Sequence, residues 1–136
     1  LTLSVQGADA RADAPSRPPP ASIRYVDSKL NSHGARVFQF RVTNTSKTPL
    51  FFDGYSASSP LYSVQFHRLG LFWRPVEIGW CGTGSGPRRL APGTSFSFWV
   101  DDPNTIWPWA AGISFRRHRT NRDGEFTVWS NTFKQQ

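Results

Sequence analysis

The segment Trp80-Cys81-Gly82-Thr83-Gly84-Ser85-Gly86-Pro87-Arg88-Arg89 brings together the only cysteine of the chain, three alternating glycines and a pair of arginines. A thiolate is the reactive form of cysteine, and neighbouring guanidinium groups or a histidine lower a thiol's pKa. Backbone amides of a glycine-rich loop can hold an anion. This segment therefore offers a thiol-dependent enzyme or redox module built on Cys81. Such an enzyme also needs a base, and His33, His67 and His118 are the only histidines. Strand parity sends His67 and His118 outward and His33 falls in a turn, so none is forced onto Cys81. The competing reading is a small apolar thiol under a long loop whose glycines supply conformational freedom.

Other chemistries are poorly supplied. The spacing Gly82-x-Gly84-x-Gly86 lacks the Gly-Lys-Ser/Thr ending of a phosphate loop and opens no helix. No C-x-x-C or H-x-x-x-H spacing occurs, so no zinc site is expected. Asp101-Asp102-Pro103-Asn104 and Asp123-Gly124-Glu125 hold oxygen ligands, but an Asp-Asp-Pro-Asn turn normally caps itself. Glu77 and Glu125 are the only glutamates and fall in different predicted elements, which argues against a glycosidase pair. No catalytic residue, metal or cofactor is assigned.

Large aromatic side chains are the stronger signal. Trp99 shares its strand face with Ser95, Ser97 and Asp101, so its indole is expected on the solvent side, where a large ring has something to cover or to bind. A neighbouring strand would set Gln39 and Arg41 beside it, making a flat platform for a sugar ring or a protein. Trp107-Pro108-Trp109 precedes another strand and is expected to place at least one indole at an end of the fold, where loops bind. Trp99, Arg41, Gln39, Trp107 and Trp109 are therefore the candidate ligand-binding residues. Arg116, Arg117, His118 and Arg119 add a basic group that, with these rings, suggests nucleic acid. The two groups lie at opposite ends of one strand, however, which argues against that reading and for a solvated strand end.

The elements that must position these residues are strands. In Leu90-Ala91-Pro92-Gly93-Thr94-Ser95-Phe96-Ser97-Phe98-Trp99-Val100-Asp101 a Pro-Gly pair suited to a type II turn feeds a strand of period two. Further strands are predicted over 22–27, 36–44, 50–55, 61–67, 72–79, 110–118 and 126–133, with turns at Asn31-Ser32-His33-Gly34, Asn44-Thr45-Ser46-Lys47, Asp53-Gly54, Leu69-Gly70 and Asn121-Arg122-Asp123-Gly124. Phe38, Phe40 and Val42 oppose Val37, Gln39 and Arg41; Ala111, Ile113 and Phe115 oppose Gly112, Ser114 and Arg116. One wet side per strand is the mark of antiparallel sheets packed face to face. In the last strand Phe126 and Val128 compete with Trp129 and Phe133 for the core side.

The 136 residues fit one domain, with eleven Phe, six Trp and three Tyr to fill its core. Sixteen Lys and Arg against nine Asp and Glu leave a formal charge of +7, which favours acidic partners such as an acidic protein, an anionic polymer or nucleic acid. Residues 1–21 read as the remnant of a secretory signal, with small-x-small sites at Ala8-Asp9-Ala10 and Ala12-Asp13-Ala14, followed by a Pro-rich linker expected to be disordered. This reading places the protein outside the cytoplasm, periplasmic or secreted, without a transmembrane segment.

Phe38-x-Phe40-x-Val42-Thr43-Asn44, Leu90-x-Pro92-Gly93 before an alternating strand, and Val128-Trp129-Ser130 together resemble immunoglobulin-like β-sandwich domains of exported bacterial proteins. The resemblance spans residues 22–134 and implies an all-β fold, a single antiparallel sandwich of about seven or eight strands. It implies no activity. The leading functional expectation is a non-enzymatic exported domain that binds a protein or a cell-envelope polymer through loops and exposed aromatics. A thiol enzyme using Cys81 and a nucleic-acid-binding protein are the alternatives.

Overall fold

Alternating apolar and polar residues, broken by Gly, Asn and Pro, produce ten strands and no helix in the residues that the computed structural model describes, 19–68, 72–80 and 83–132. They are β1 (Ala21–Leu30), β2 (Arg36–Asn44), β3 (Leu50–Ser56), β4 (Ser59–Pro60), β5 (Ser63–Arg68), β6 (Phe72–Val76), β7 (Gly86–Leu90), β8 (Ser95–Asp101), β9 (Trp109–Phe115) and β10 (Phe126–Trp129). The fold is all-β. Its sheets run β1-β2-β8, β10-β9-β5-β6 and β4-β3-β7, and every pairing is antiparallel. The proposed signal remnant and most of the Pro-rich linker, residues 1–18, lie outside the described residues, as does Cys81.

The inner faces of these sheets meet in one core. Phe38, Phe40 and Val42 of β2 and Phe98 and Val100 of β8 are buried against Trp109, Ala111, Ile113 and Phe115 of β9. Trp109 lies edge-on to Phe38 and Phe40, at 5.3 and 5.8 Å between ring centroids. Phe52 of β3 stacks on Phe96 and meets Phe115 edge-on, joining the third sheet to the same core. Such aromatic pairs add to the burial of their area. Val128 is buried while Trp129 points to the opposite face of β10, which resolves the parity of that strand.

Two turn segments show how the sequence sets these strands. Gly93 takes φ +73° and Thr94 N–H donates to the Ala91 carbonyl at 3.2 Å, the arrangement expected of a type II turn ahead of β8. Asn44, fully buried at the end of β2, donates through Nδ2 to the Thr48 and Leu90 carbonyls at 2.8 and 3.0 Å. Its Oδ1 accepts from Ser46 N–H and the Ser46 hydroxyl, so the side chain is satisfied on both ends.

Several expectations need correction. Asp53 and Gly54 are not a turn but the interior of β3. The long glycine-rich loop ends early, because Gly86–Leu90 forms β7 against β3; Arg88 donates to the Gly54 and Tyr55 carbonyls at 3.0 and 2.9 Å. The outward side of β9 is largely dry: Ala110, Gly112 and Arg116 are buried and only Ser114 is exposed. Arg116 is therefore not part of a solvated strand end. Its side chain, 3% exposed, donates to the Arg119 carbonyl through Nε and Nη2 and to Asp53 Oδ1 at 3.1 Å. Arg122 closes the group, donating to Asp53 Oδ2 at 2.7 Å and Glu125 Oε2 at 2.9 Å.

Candidate functional site

Antiparallel register puts cross-strand partners on one side of a sheet. On the outer side of β1-β2-β8 the pairing Gln39↔Trp99 lies beside Asp27↔Gln39, and the next row is Arg24, Arg41 and Ser97. The structure thus brings Trp99, Gln39 and Arg41 together. Trp99 is 39% exposed, and the Lys29 ammonium stands 4.5 Å from its ring centroid. Such a cation holds the indole in place without sealing it from solvent.

The row below carries a local conflict. Arg24 and Arg41 are directly opposite one another, both exposed, and neither has an ion-pair partner among the described residues. Like charges directly opposite destabilise a sheet. A fold that breaks a local rule without internal compensation does so most often where something else is bound. An anion held between the two guanidinium groups would remove the conflict and gain charge-assisted hydrogen bonds.

Trp107 and Trp109 separate. Trp107 is half-buried, its N–H donating to Thr105 Oγ1 at 3.1 Å in the segment before β9. Trp109 is fully buried and is a core residue, so it leaves the set of surface candidates. The reason is register: Trp109 pairs with Phe66 and shares the inner face with Ala111 and Ile113.

The candidate calcium turn caps itself, Asn104 N–H donating to Asp102 Oδ1 at 2.8 Å. No group of three His, Cys, Asp or Glu that could hold a metal ion occurs among the described residues. The three histidines are dispersed: His33 is in the β1–β2 turn, His67 is on β5 stacked on Trp73 at 4.7 Å, and His118 is exposed after β9. Arg88, a proposed activator of Cys81, is committed to β3 carbonyls.

No family model and no curated protein matches the chain. A crystal structure described as that of an ApaA protein from Bordetella pertussis is similar to it, with 19% identity, a TM-score of 0.44 and coverage of 83% of this chain and 86% of that one.

A second aromatic group, which sequence reasoning missed, joins Trp129 on the outer side of β10-β9-β5-β6 with Trp80 in the segment after β6. Trp129 pairs with Gly112, and a Cβ at Gly112 would stand 2.5–2.8 Å from three atoms of the indole ring. The ring therefore lies flat on bare backbone, which only glycine provides. An isolated glycine inside a strand signals such close approach, and Gly112 was that signal in the sequence. Trp129 forms one side of a cleft of about 300 Å³ whose other lining includes Ser63, Gln65, Pro75, Val76 and Trp80. Trp80 is 38% exposed and packs edge-on against Tyr62 at 4.8 Å. Burial raises the Tyr62 pKa, opposed by the hydrogen bond its hydroxyl oxygen accepts from Asp101 N–H, so the phenol stays neutral at physiological pH. Gly112→Ala is expected to tip the Trp129 ring and destabilise the domain by about 1–3 kcal/mol, as overpacking does. Urea denaturation followed by tryptophan fluorescence measures it, and an unchanged midpoint would mean the ring moves freely.

Proposed function

We propose that this chain is a non-enzymatic binding domain of immunoglobulin-like type that works outside the cytoplasm and holds an anionic envelope polymer on the outer side of β1-β2-β8. The observation that carries the reading is the uncompensated Arg24–Arg41 pair one row from the exposed Trp99. Stacking of a sugar ring on the indole and ion pairing of its acidic group with the arginines use the two halves of this surface together. The positive net charge would speed encounter with such a polymer. The small-x-small sites at Ala8-Asp9-Ala10 and Ala12-Asp13-Ala14 support an extracytoplasmic setting.

Calorimetric titration with a uronate-containing polysaccharide at low and raised salt tests the assignment. Binding should weaken with salt, fall roughly tenfold in Trp99→Ala, and lose most of its salt dependence in the Arg24→Ala/Arg41→Ala double variant. Absence of binding, or equal affinity in all three proteins, would refute it. A duplex DNA competitor that displaced the polymer fully, with a steep salt dependence, would favour nucleic acid as the ligand instead.

A further inference from the structure

We propose that the cleft between Trp80 and Trp129 is a second binding site, for a neutral sugar ring, independent of the anionic site on the opposite sheet. Its lining argues for this class of ligand. Two indoles, one resting on Gly112 and the other braced by Tyr62, bound the cleft. The polar side chains of the same lining are Ser63 and Gln65, neither of which makes a side-chain hydrogen bond within the described residues. Gln65 shares its strand face with Ser63, opposite the core residue Val64, so its amide is directed outward from the sheet.

Charge narrows the choice. The chain carries a surplus of seven positive charges, yet among the described residues no Lys, Arg, His, Asp or Glu lines this cleft, and the ionisable group there is the neutral Tyr62. A charged ligand would lose hydration here without gaining a partner. A pyranose ring offers an apolar C–H face to an indole and hydroxyls that both donate and accept. Gln65 needs both, because its amide has donors on nitrogen and an acceptor on oxygen. A proline-rich peptide would suit the indoles but has no N–H at its prolines to satisfy the Gln65 carbonyl. A cleft of this volume is at the small end of ligand sites, room for one or two rings.

The test is titration of the whole chain with neutral glucose and N-acetylglucosamine oligomers, followed by indole N–H shifts in NMR spectra, beside Trp80→Ala and Gln65→Ala variants and a proline-rich peptide. An oligomer that binds should perturb Trp80 and Trp129, bind equally at low and high salt, and weaken roughly tenfold in each variant. Trp99→Ala should leave it unchanged, which separates failure of this site from failure of the anionic one. Trp80→Ala and Gln65→Ala alter partly exposed positions, and the dispersion of their spectra reports folding directly. Failure of every oligomer to bind at millimolar concentration, equal binding by the variants, or binding of the peptide alone would overturn the proposal.

Discussion

Arg116→Ala should remove about 3–5 kcal/mol of folding stability, a large share of the roughly 5–15 kcal/mol a domain possesses. Its guanidinium is buried and satisfies the Arg119 carbonyl twice, at 3.1 and 2.7 Å, while pairing with Asp53 at 3.1 Å and approaching Glu125 at 3.9 Å. Truncation removes both bonds to that carbonyl, withdraws a cation from the partly buried Asp53 and leaves a cavity where a buried side chain stood. Arg122 contacts the same carboxylates, but its side chain is 57% exposed and screened by solvent, so Arg122→Ala should cost far less than Arg116→Ala. Urea denaturation of both variants decides the matter. Equal and small losses would mean that the network is decorative.

The same network makes stability depend on acid. Burial pushes the Asp53 carboxyl upward, but the hydrogen bonds and charges of Arg122 and Arg116 outweigh it and hold the pKa below its ordinary value of 3.8. A carboxyl depressed in the folded state binds its proton more readily once unfolded. Its contribution is therefore complete above about pH 4, the unfolded range, and is lost as pH falls through the folded value. Asp53→Asn should be less stable than the parent at pH 6 and show a shallower further loss down to pH 2.5, as measured by urea midpoints across that range.

Arg116 also shows where sequence reading stops. Parity placed it on an outer face and its basic neighbours suggested a solvated end. What buries it is an aspartate 63 residues away on another sheet, and no local pattern announces that pairing. β7 escaped for a related reason: Gly-Pro-Arg-Arg has neither alternation nor strand propensity, and it pairs only as the outermost strand of its sheet, where Pro87 need not donate. In contrast β2 and β8 are legible residue by residue, since Phe-x-Phe-x-Val and Phe-x-Phe-x-Val can bury their rings in only one register face. That pairing is also what brings Gln39 and Arg41 beside Trp99. The grouping of Trp99, Gln39 and Arg41 was thus readable because it lies on the backs of two strongly patterned strands, whereas Arg24 opposite Arg41 needed the β1 register and the Trp80–Trp129 cleft depends on how four strands and a loop converge.

Trp109→Ala should destabilise the domain by about 3–5 kcal/mol, while Trp107→Ala, two residues earlier and half-buried, should cost much less. Trp109 is fully buried between the sheets, edge-on to Phe38 and Phe40, so truncation removes the largest side chain of the core and the contacts on both of its faces. Pro108 sits between the two indoles, and its carbonyl accepts from His67 N–H at 2.8 Å, fixing the chain at the point where it enters β9. One indole is thereby committed inward while the other remains near the surface. The contrast matters for any ligand assay: loss of binding in Trp109→Ala would report unfolding, and only Trp107→Ala can test whether the loop before β9 contributes to recognition. Thermal melts of the two variants, run beside the titrations, distinguish these cases. A Trp109 variant that melts with the parent would place that ring outside the core and reverse the assignment.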